Sequence, residues 1–149
     1  MDPATRQANL DDLDRVAVLF DQYRQFYGEA GDLTLARSFL HERMVRDESI
    51  VLVAPAHGTP DAFAQLYPTF CSVSAAPLLV LYDLFVAPAA RGRGLARALL
   101  RSAQACGQAR GAARLELATA RTNVAAQRLY ESMGWTRDEV FHHYALALR

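Results

Sequence analysis

Cysteine is scarce in this sequence. Cys71 and Cys106 are the only two, their spacing is not that of a metal site, and two thiols in a chain this long read most simply as ordinary reduced residues. An excess of either charge is also missing. Sixteen basic residues balance sixteen acidic ones, so the field of the whole molecule gives no reason to expect nucleic acid or an anionic membrane as the main partner. No apolar run approaches the ~20 residues of a membrane-spanning helix, and Met1-Asp-Pro-Ala-Thr-Arg lacks the apolar core of a secretory signal. Repeats, low-complexity segments and domain linkers are absent too. What is left is the expectation of a cytoplasmic chain forming one globular domain over residues 1–149, with 52% hydrophobic residues to fill its core.

The elements follow from periodicity. Residues 4–8 predict a weak first strand, and Asn9 or Asp11 offers a helix cap before Leu13, Val16, Ala17 and Phe20, which recur at helical spacing. That helix is expected to stop at Gly28, and Leu33 to Val45 repeats the pattern. Ser49-Ile-Val-Leu-Val-Ala-Pro and Ala62 to Phe70 predict a hairpin, its second strand ending or bulging near Pro68, which cannot donate to a ladder. Leu78 to Val86 is apolar on both parities, as in a strand covered on both faces. A helix from Gly94, closed by Gly107 or Gly111, buries Leu95, Ala98, Leu99, Ala103 and Cys106. Leu115 to Thr119 is the next strand, Asn123 caps a helix ended by Gly134, and residues 136–148 are expected to hold one or two last strands. This order indicates an α/β (α+β) domain with a mixed sheet.

The stretch from Leu78 to Leu100 organises the rest, because an apolar run there ends at Pro88 and a glycine-punctuated turn opens a helix. Such a junction leaves backbone N–H groups unpaired, and Gly92 and Gly94 would let a phosphate approach them closely. A Walker-type loop is excluded, since Gly94 is followed by Leu95-Ala96 rather than Lys and Ser or Thr. A dinucleotide fingerprint is excluded as well, since Arg97 stands where its third glycine belongs.

Val86-Ala-Pro-Ala-Ala-Arg-Gly-Arg-Gly-Leu-Ala resembles the pyrophosphate-binding signature Gln/Arg-x-x-Gly-x-Gly/Ala of the GNAT superfamily of acyl-CoA-dependent N-acyltransferases, with Arg91, Gly94 and Ala96 at the motif positions. A second block, Leu115-x-Leu-x-Thr119 followed by Asn123-x-x-Ala126-x-x-Leu129-Tyr130-Glu131-x-x-Gly134-Trp135, is similar to that superfamily's second characteristic segment. The likeness covers nearly the whole chain and implies a single GNAT-like domain with a mixed, mostly antiparallel central sheet flanked by about four helices.

The resemblance implies roles residue by residue. Acetyl-CoA would be the cosubstrate, with no metal. Main-chain groups of Leu84, Phe85 and Val86 would hold the thioester and pantetheine arm, and Arg91, Gly92, Arg93, Gly94, Leu95 and Ala96 would surround the pyrophosphate at a helix N-terminus, where the dipole favours anions. One of Arg93, Arg97 and Arg101 could reach the 3′-phosphate, the alternative for Arg97 and Arg101 being a solvated basic face. Asn123 both caps its helix and matches a family contact to the cofactor arm. Tyr130 lies on the apolar stripe of its helix, yet it matches the tyrosine that protonates the departing thiolate. A phenol with pKa ~10 keeps its proton at neutral pH for that purpose.

Direct attack on the thioester requires a neutral amine, and deprotonating an alkylammonium of pKa ~10.4 costs ~4.6 kcal/mol at pH 7, so a base or a water relay is expected. Asp83, a lone carboxylate in an apolar run, is one candidate, with a structural hydrogen-bonded role as the competing reading. Tyr82 stands where some family members carry the base, one residue earlier and, by strand alternation, on the opposite face. Ala64 to Phe70 and Leu81 to Val86 are similar to a branch that includes diamine and polyamine acetyltransferases. The acceptor implied is a primary amine of a small molecule such as a polyamine or amino acid, with Tyr23 to Asp47 and Cys71 to Pro77 flanking its cleft. A protein lysine or N-terminus, or an acyl-CoA-binding sensor without turnover, are the alternatives. The resemblance also implies a homodimer, for which Tyr144-Ala-Leu-Ala-Leu would serve if it is not an ordinary core strand.

Overall fold

A computed structural model describes all residues, 1–149. The chain divides into two units, Met1–Ala118 and Thr119–Arg149. The first unit carries strands β1 (Arg6–Gln7), β2 (Ile50–Ala54), β3 (Ala62–Cys71), β4 (Ala76–Val86) and β5 (Leu115–Glu116), with helices α1 (Leu13–Phe26), α2 (Leu33–Val45) and α3 (Leu95–Ala109). The second carries helix α4 (Val124–Ser132). The five strands lie in the order β1-β2-β3-β4-β5. All neighbours are antiparallel except β4 and β5, so the sheet is mixed and mostly antiparallel.

Local chemistry explains where the helices begin and stop. The Asn9 side chain accepts from the Asp11 N–H at 2.9 Å, and Asp12 accepts from the Asn9 N–H while Arg6 grips both of its oxygens at 2.7 Å. This turn feeds α1. Asp32 caps α2 through the Leu35 N–H at 3.0 Å. Gly28, beyond α1, takes the left-handed backbone that ends helices cleanly. Gly107 sits inside α3 rather than closing it, and a Cβ there would rest 3.5 Å from the Leu115 side chain. Gly111, with φ of 64°, follows the helix end instead.

One face of the sheet makes the core that matters for the site. Leu13, Val16, Ala17, Leu19 and Phe20 of α1 and Ala36 and Leu40 of α2 pack on Val51, Val53, Phe63 and Phe85. Val53, Phe63 and Phe85 stand side by side in register, and the next row along the same face is Val51, Gln65 and Asp83. A polar pair is therefore set directly beside an apolar row.

Three expectations are corrected. The irregularity expected near Pro68 falls between Gln65 and Leu66, with the extra residue on β4, and Pro68 does not end β3, which continues to Cys71 with Pro68 opposite Leu79. The reason is that β2 pairs with β3 only as far as Leu66, so beyond it β3 is an edge strand whose outer side needs no donor. The strand expected over Leu115–Thr119 shrinks to Leu115–Glu116. Residues 136–149 form no strand. There Asp138 turns the chain by accepting from the N–H groups of Val140 and Phe141 at 2.8 and 3.2 Å, a local bond that competes with extended pairing. Tyr144, Leu146 and Leu148 are accordingly exposed.

Phe63 is fully buried, with its ring edge-on to Phe20 and Tyr23 at 6.2 and 6.3 Å. Phe63→Ala is expected to lower unfolding free energy by ~3–5 kcal/mol, read from urea denaturation.

Candidate active site

Strand β4 breaks its own alternation. Gln65 of β3 opposes Asp83, but the next β3 residue, Leu66, opposes Leu81, which leaves Tyr82 as an extra residue on β4. Two residues opposite one is a β-bulge, and a bulge turns neighbouring side chains toward the same side. Tyr82 and Asp83, expected on opposite faces, instead line one cleft of about 550 Å³ with Phe20, Phe39, Arg43, Glu48, Tyr67 and Pro68. The rings of Tyr67 and Tyr82 meet edge-on at 5.4 Å. The Tyr82 carbonyl receives the Tyr23 hydroxyl at 3.0 Å, so α1 is tied to the bulge.

Asp83 is only 5% exposed. Burial pushes its carboxyl up to about 6, against the opposing pull of the Gln65 amide and the nearby Tyr23 hydroxyl. The Gln65 amide donates to Oδ2 at 2.6 Å. Burial and the nearby Asp83 charge push the Tyr67 phenol well above its usual value, so it stays protonated at neutral pH. Tyr82, by contrast, is 65% exposed.

The other side of β4 is open beyond Val80, because β5 pairs only with Leu79 and Val80. The Ala87 N–H bonds to the Asp61 carbonyl at 2.8 Å, and antiparallel alternation then points the main-chain groups of Phe85 and Asp83 at β3 and those of Leu84 and Val86 away from it. Leu84 and Val86 thus offer backbone groups to the unpaired edge. Phe85 does not, since its main-chain groups face β3 and its side chain is buried in the α1 core. The Arg91 guanidinium lies 5.8 Å over the Phe85 ring and its Nε donates to the Val86 carbonyl at 3.2 Å.

After β4 a short turn over Pro88–Ala90 leads to Gly92 and Gly94, with φ of 77° and 79°. No side chain caps α3, and its first bond runs from the Ala98 N–H to Gly94. The Leu95 and Ala96 N–H groups therefore precede the helix's own ladder. A Cβ on either glycine would meet nothing within 4 Å, so the cradle is open on the side from which an anion would come, and the residues present fit a pyrophosphate. Arg93 is exposed and reaches Asp61 at 3.5 Å, whereas Arg101 is held by Asp2 at 2.7 Å. Of the helix arginines, Arg101 thus has a structural post.

In the second unit, Asn123 caps α4 by accepting from the Ala126 N–H at 3.3 Å. Ala126, Leu129, Tyr130 and Met133 form its half-buried stripe, and Tyr130 lies 6.1 Å from the Trp135 ring. Cys71 stands at the far end of β3, six residues from Gln65, or about 20 Å along the strand. Its thiol is drawn down to about 7 by Ser74 and then Arg114, but it takes no part in the cleft.

Comparison with known proteins identifies the arrangement. The family model described as the acetyltransferase (GNAT) family matches residues 16–135. The chain belongs to the GNAT acetyltransferase family. An N-acetyltransferase of Bacillus subtilis strain 168, YhfO, of uncharacterised specificity, is 44% identical over 141 residues, covering 95% of each chain. The crystal structure of a probable acetyltransferase, 37% identical, superposes with a TM-score of 0.92 over 97% of each chain. An aminoglycoside N-acetyltransferase solved in complex with CoA shares the fold at a TM-score of 0.80, with 22% identity over 95% of this chain and 93% of that one. This GNAT chain is thus an acetyl-CoA-dependent N-acetyltransferase, and none of its helices is long and apolar enough to cross a membrane.

Two predictions follow from the site. Asp83 binds its proton more tightly folded than unfolded, so its contribution to stability is fully present below pH ~4 and is lost as pH rises through about 6. Relative to wild type, Asp83→Asn should gain up to ~3 kcal/mol across that window, read as the difference between two pH series of urea melts. Gly94→Ala meets no neighbour but must hold a left-handed backbone at a cost of roughly 1–2 kcal/mol. Its apparent affinity for acetyl-CoA should fall ~10-fold or more, with a Tm loss no larger than that strain explains.

Proposed function

We propose that the enzyme acetylates the primary amine of a small molecule carrying an apolar or aromatic body. The observation that carries this reading is the bulge-formed cleft, which gathers a buried carboxylate and four aromatic rings beside β4. Asp83 is the general base in this proposal. A carboxylate that titrates near 6 is ionised at neutral pH and better matched to an ammonium than one of ordinary pKa. The incoming ammonium would rest against Phe20, Phe39, Tyr67 and Tyr82 as a cation on aromatic faces, then lose its proton and attack the thioester directly. Tyr82 shapes the cleft rather than serving as base.

The donor would lie along the open edge of β4, with the backbone of Leu84 and Val86 on its arm and the turn from Arg91 to Ala96 on its pyrophosphate. The Val86 N–H is aimed away from β3, which suits polarisation of the thioester carbonyl. Tyr130 as general acid and Asn123 as a contact to the cofactor arm rest on the resemblance of their helix to the family's second block. The likeness to the family over nearly the whole chain supports one acyltransferase domain over residues 1–149 and a homodimer.

Charge in the cleft argues against a polyamine. Arg43 Nε lies 2.7 Å from Glu48 and Arg43 Nη2 3.0 Å from Glu42, so the cleft's second carboxylate is already matched by a cation. A second ammonium would meet a neutralised wall.

The test is a mass-spectrometric acceptor screen with arylalkylamines, alkylamines, spermidine, putrescine, amino acids and aminoglycosides. The chain contains no lysine, so no side-chain amine of its own competes for the acetyl group. Monoamines with apolar bodies should give the highest kcat/KM. Asp83→Asn should lower it ~10²–10⁴-fold and Tyr130→Phe should lower kcat, both with near-normal KM for acetyl-CoA. Acceptance of polyamines alone, or full activity in Asp83→Asn, would overturn the reading.

A further inference from the structure

The cleft lining accounts for Asp83 from the front but not for what stands behind it. Gln65 is completely buried in the middle of β3, an uncommon place for an amide. It opposes Asp83 in register and donates through Nε2 to Oδ2 at 2.6 Å. Behind it, the buried Ser49 hydroxyl donates to Gln65 Oε1 at 2.9 Å. The three side chains form one line from the residue before β2 through β3 to β4, with no polar atom of the amide left over at either end.

We propose that Gln65, backed by Ser49, is the positioning residue of the general base, holding the Asp83 carboxylate toward the cleft in both of its charge states. The inference rests on Asp83 being the base. With Asp83 ionised, only the Nε2 end of the amide can face it, since two facing acceptors would repel. Ser49 then donates to the other end. With Asp83 protonated on the oxygen that faces the cleft, Oδ2 still accepts from Nε2, so neither the amide nor Ser49 has to turn. The base can therefore take up the amine's proton and release it each turnover without stranding a buried polar group, which would otherwise be costly.

The groups that face Asp83 from the surrounding elements are few. Tyr23 comes from α1, Arg43 from α2, Glu48 from the segment after it, Tyr67 from β3 and Tyr82 from β4. Arg43 is engaged by Glu42 and Glu48. Besides Tyr23, Gln65 is the group that favours the ionised form, so its removal should make Asp83 harder to ionise.

The experiment is the pH profile of kcat/KM with one amine throughout, so that the amine's own titration cancels between variants. Gln65→Met keeps the volume and removes the donor, and its acid limb should move upward by half a pH unit or more. Ser49→Ala should move it less and in the same direction, while Ser49→Thr, which keeps the hydroxyl, should return it to the wild-type position. A loss of Tm with an unmoved limb in Gln65→Met would overturn the inference and leave Gln65 a packing residue. If Gln65→Met does not fold, an unmoved limb in Ser49→Ala overturns it equally. Asp83→Asn separates the two levels: if it stays active the base assignment itself fails, whereas if it is inactive and the limb does not move, only the role of Gln65 fails.

Discussion

The site depends on a single irregularity of pairing. A regular β4 would send Tyr82 and Asp83 to opposite faces, burying one under α1 or α3 and leaving the cleft without either its carboxylate or its aromatic wall. The bulge puts both on one face. It also frees the Tyr82 carbonyl, which Tyr23 of α1 then takes up at 3.0 Å. The helix is thereby fixed against the irregularity, and the polar row of Gln65 and Asp83 is closed beneath it. Pairing, helix docking and the environment of the carboxylate are one constraint seen at three scales.

Energetically the arrangement is a compromise. The row of Val53, Phe63 and Phe85 gains from burial, at ~25 cal/mol per Å² of apolar surface. The adjacent row carries a carboxylate whose ionised form is disfavoured by the same burial. The Gln65 hydrogen bond and the nearby Tyr23 hydroxyl recover part of that cost, and the remainder is what lifts the group into a range useful for proton transfer. Stability is exchanged for reactivity at a single position while the neighbouring row stays apolar.

Much of this was legible in the residues. Asn9 and Asn123 do cap, Gly28 and Gly134 take the left-handed conformation expected past a helix end, and the glycine turn opens α3 as its spacing required. The bulge was not legible, because alternation is the rule that a sequence pattern presumes and nothing in Leu81-Tyr82-Asp83 marks the exception. Gln65 was missed for a related reason. A glutamine within Ala62 to Phe70 is a visible oddity, but its meaning depends on register, which sets it opposite Asp83 rather than one residue away. Pro68 misled because a strand can be central at one end and an edge at the other. The segment 136–149 misled because its apolar alternation counts for less than the local turn at Asp138.

The brevity of β5 has a consequence for the protein outside catalysis. Beyond Val80 the flank of β4 has no strand beside it; Arg91 takes the Val86 carbonyl, but the main-chain groups of Leu84 and the Val86 N–H remain without a partner strand, and such an edge is where sheets of neighbouring molecules join. Under the proposed binding mode, the pantetheine arm occupies that edge. The cosubstrate would then serve the sheet as an edge cap as well as the reaction as donor.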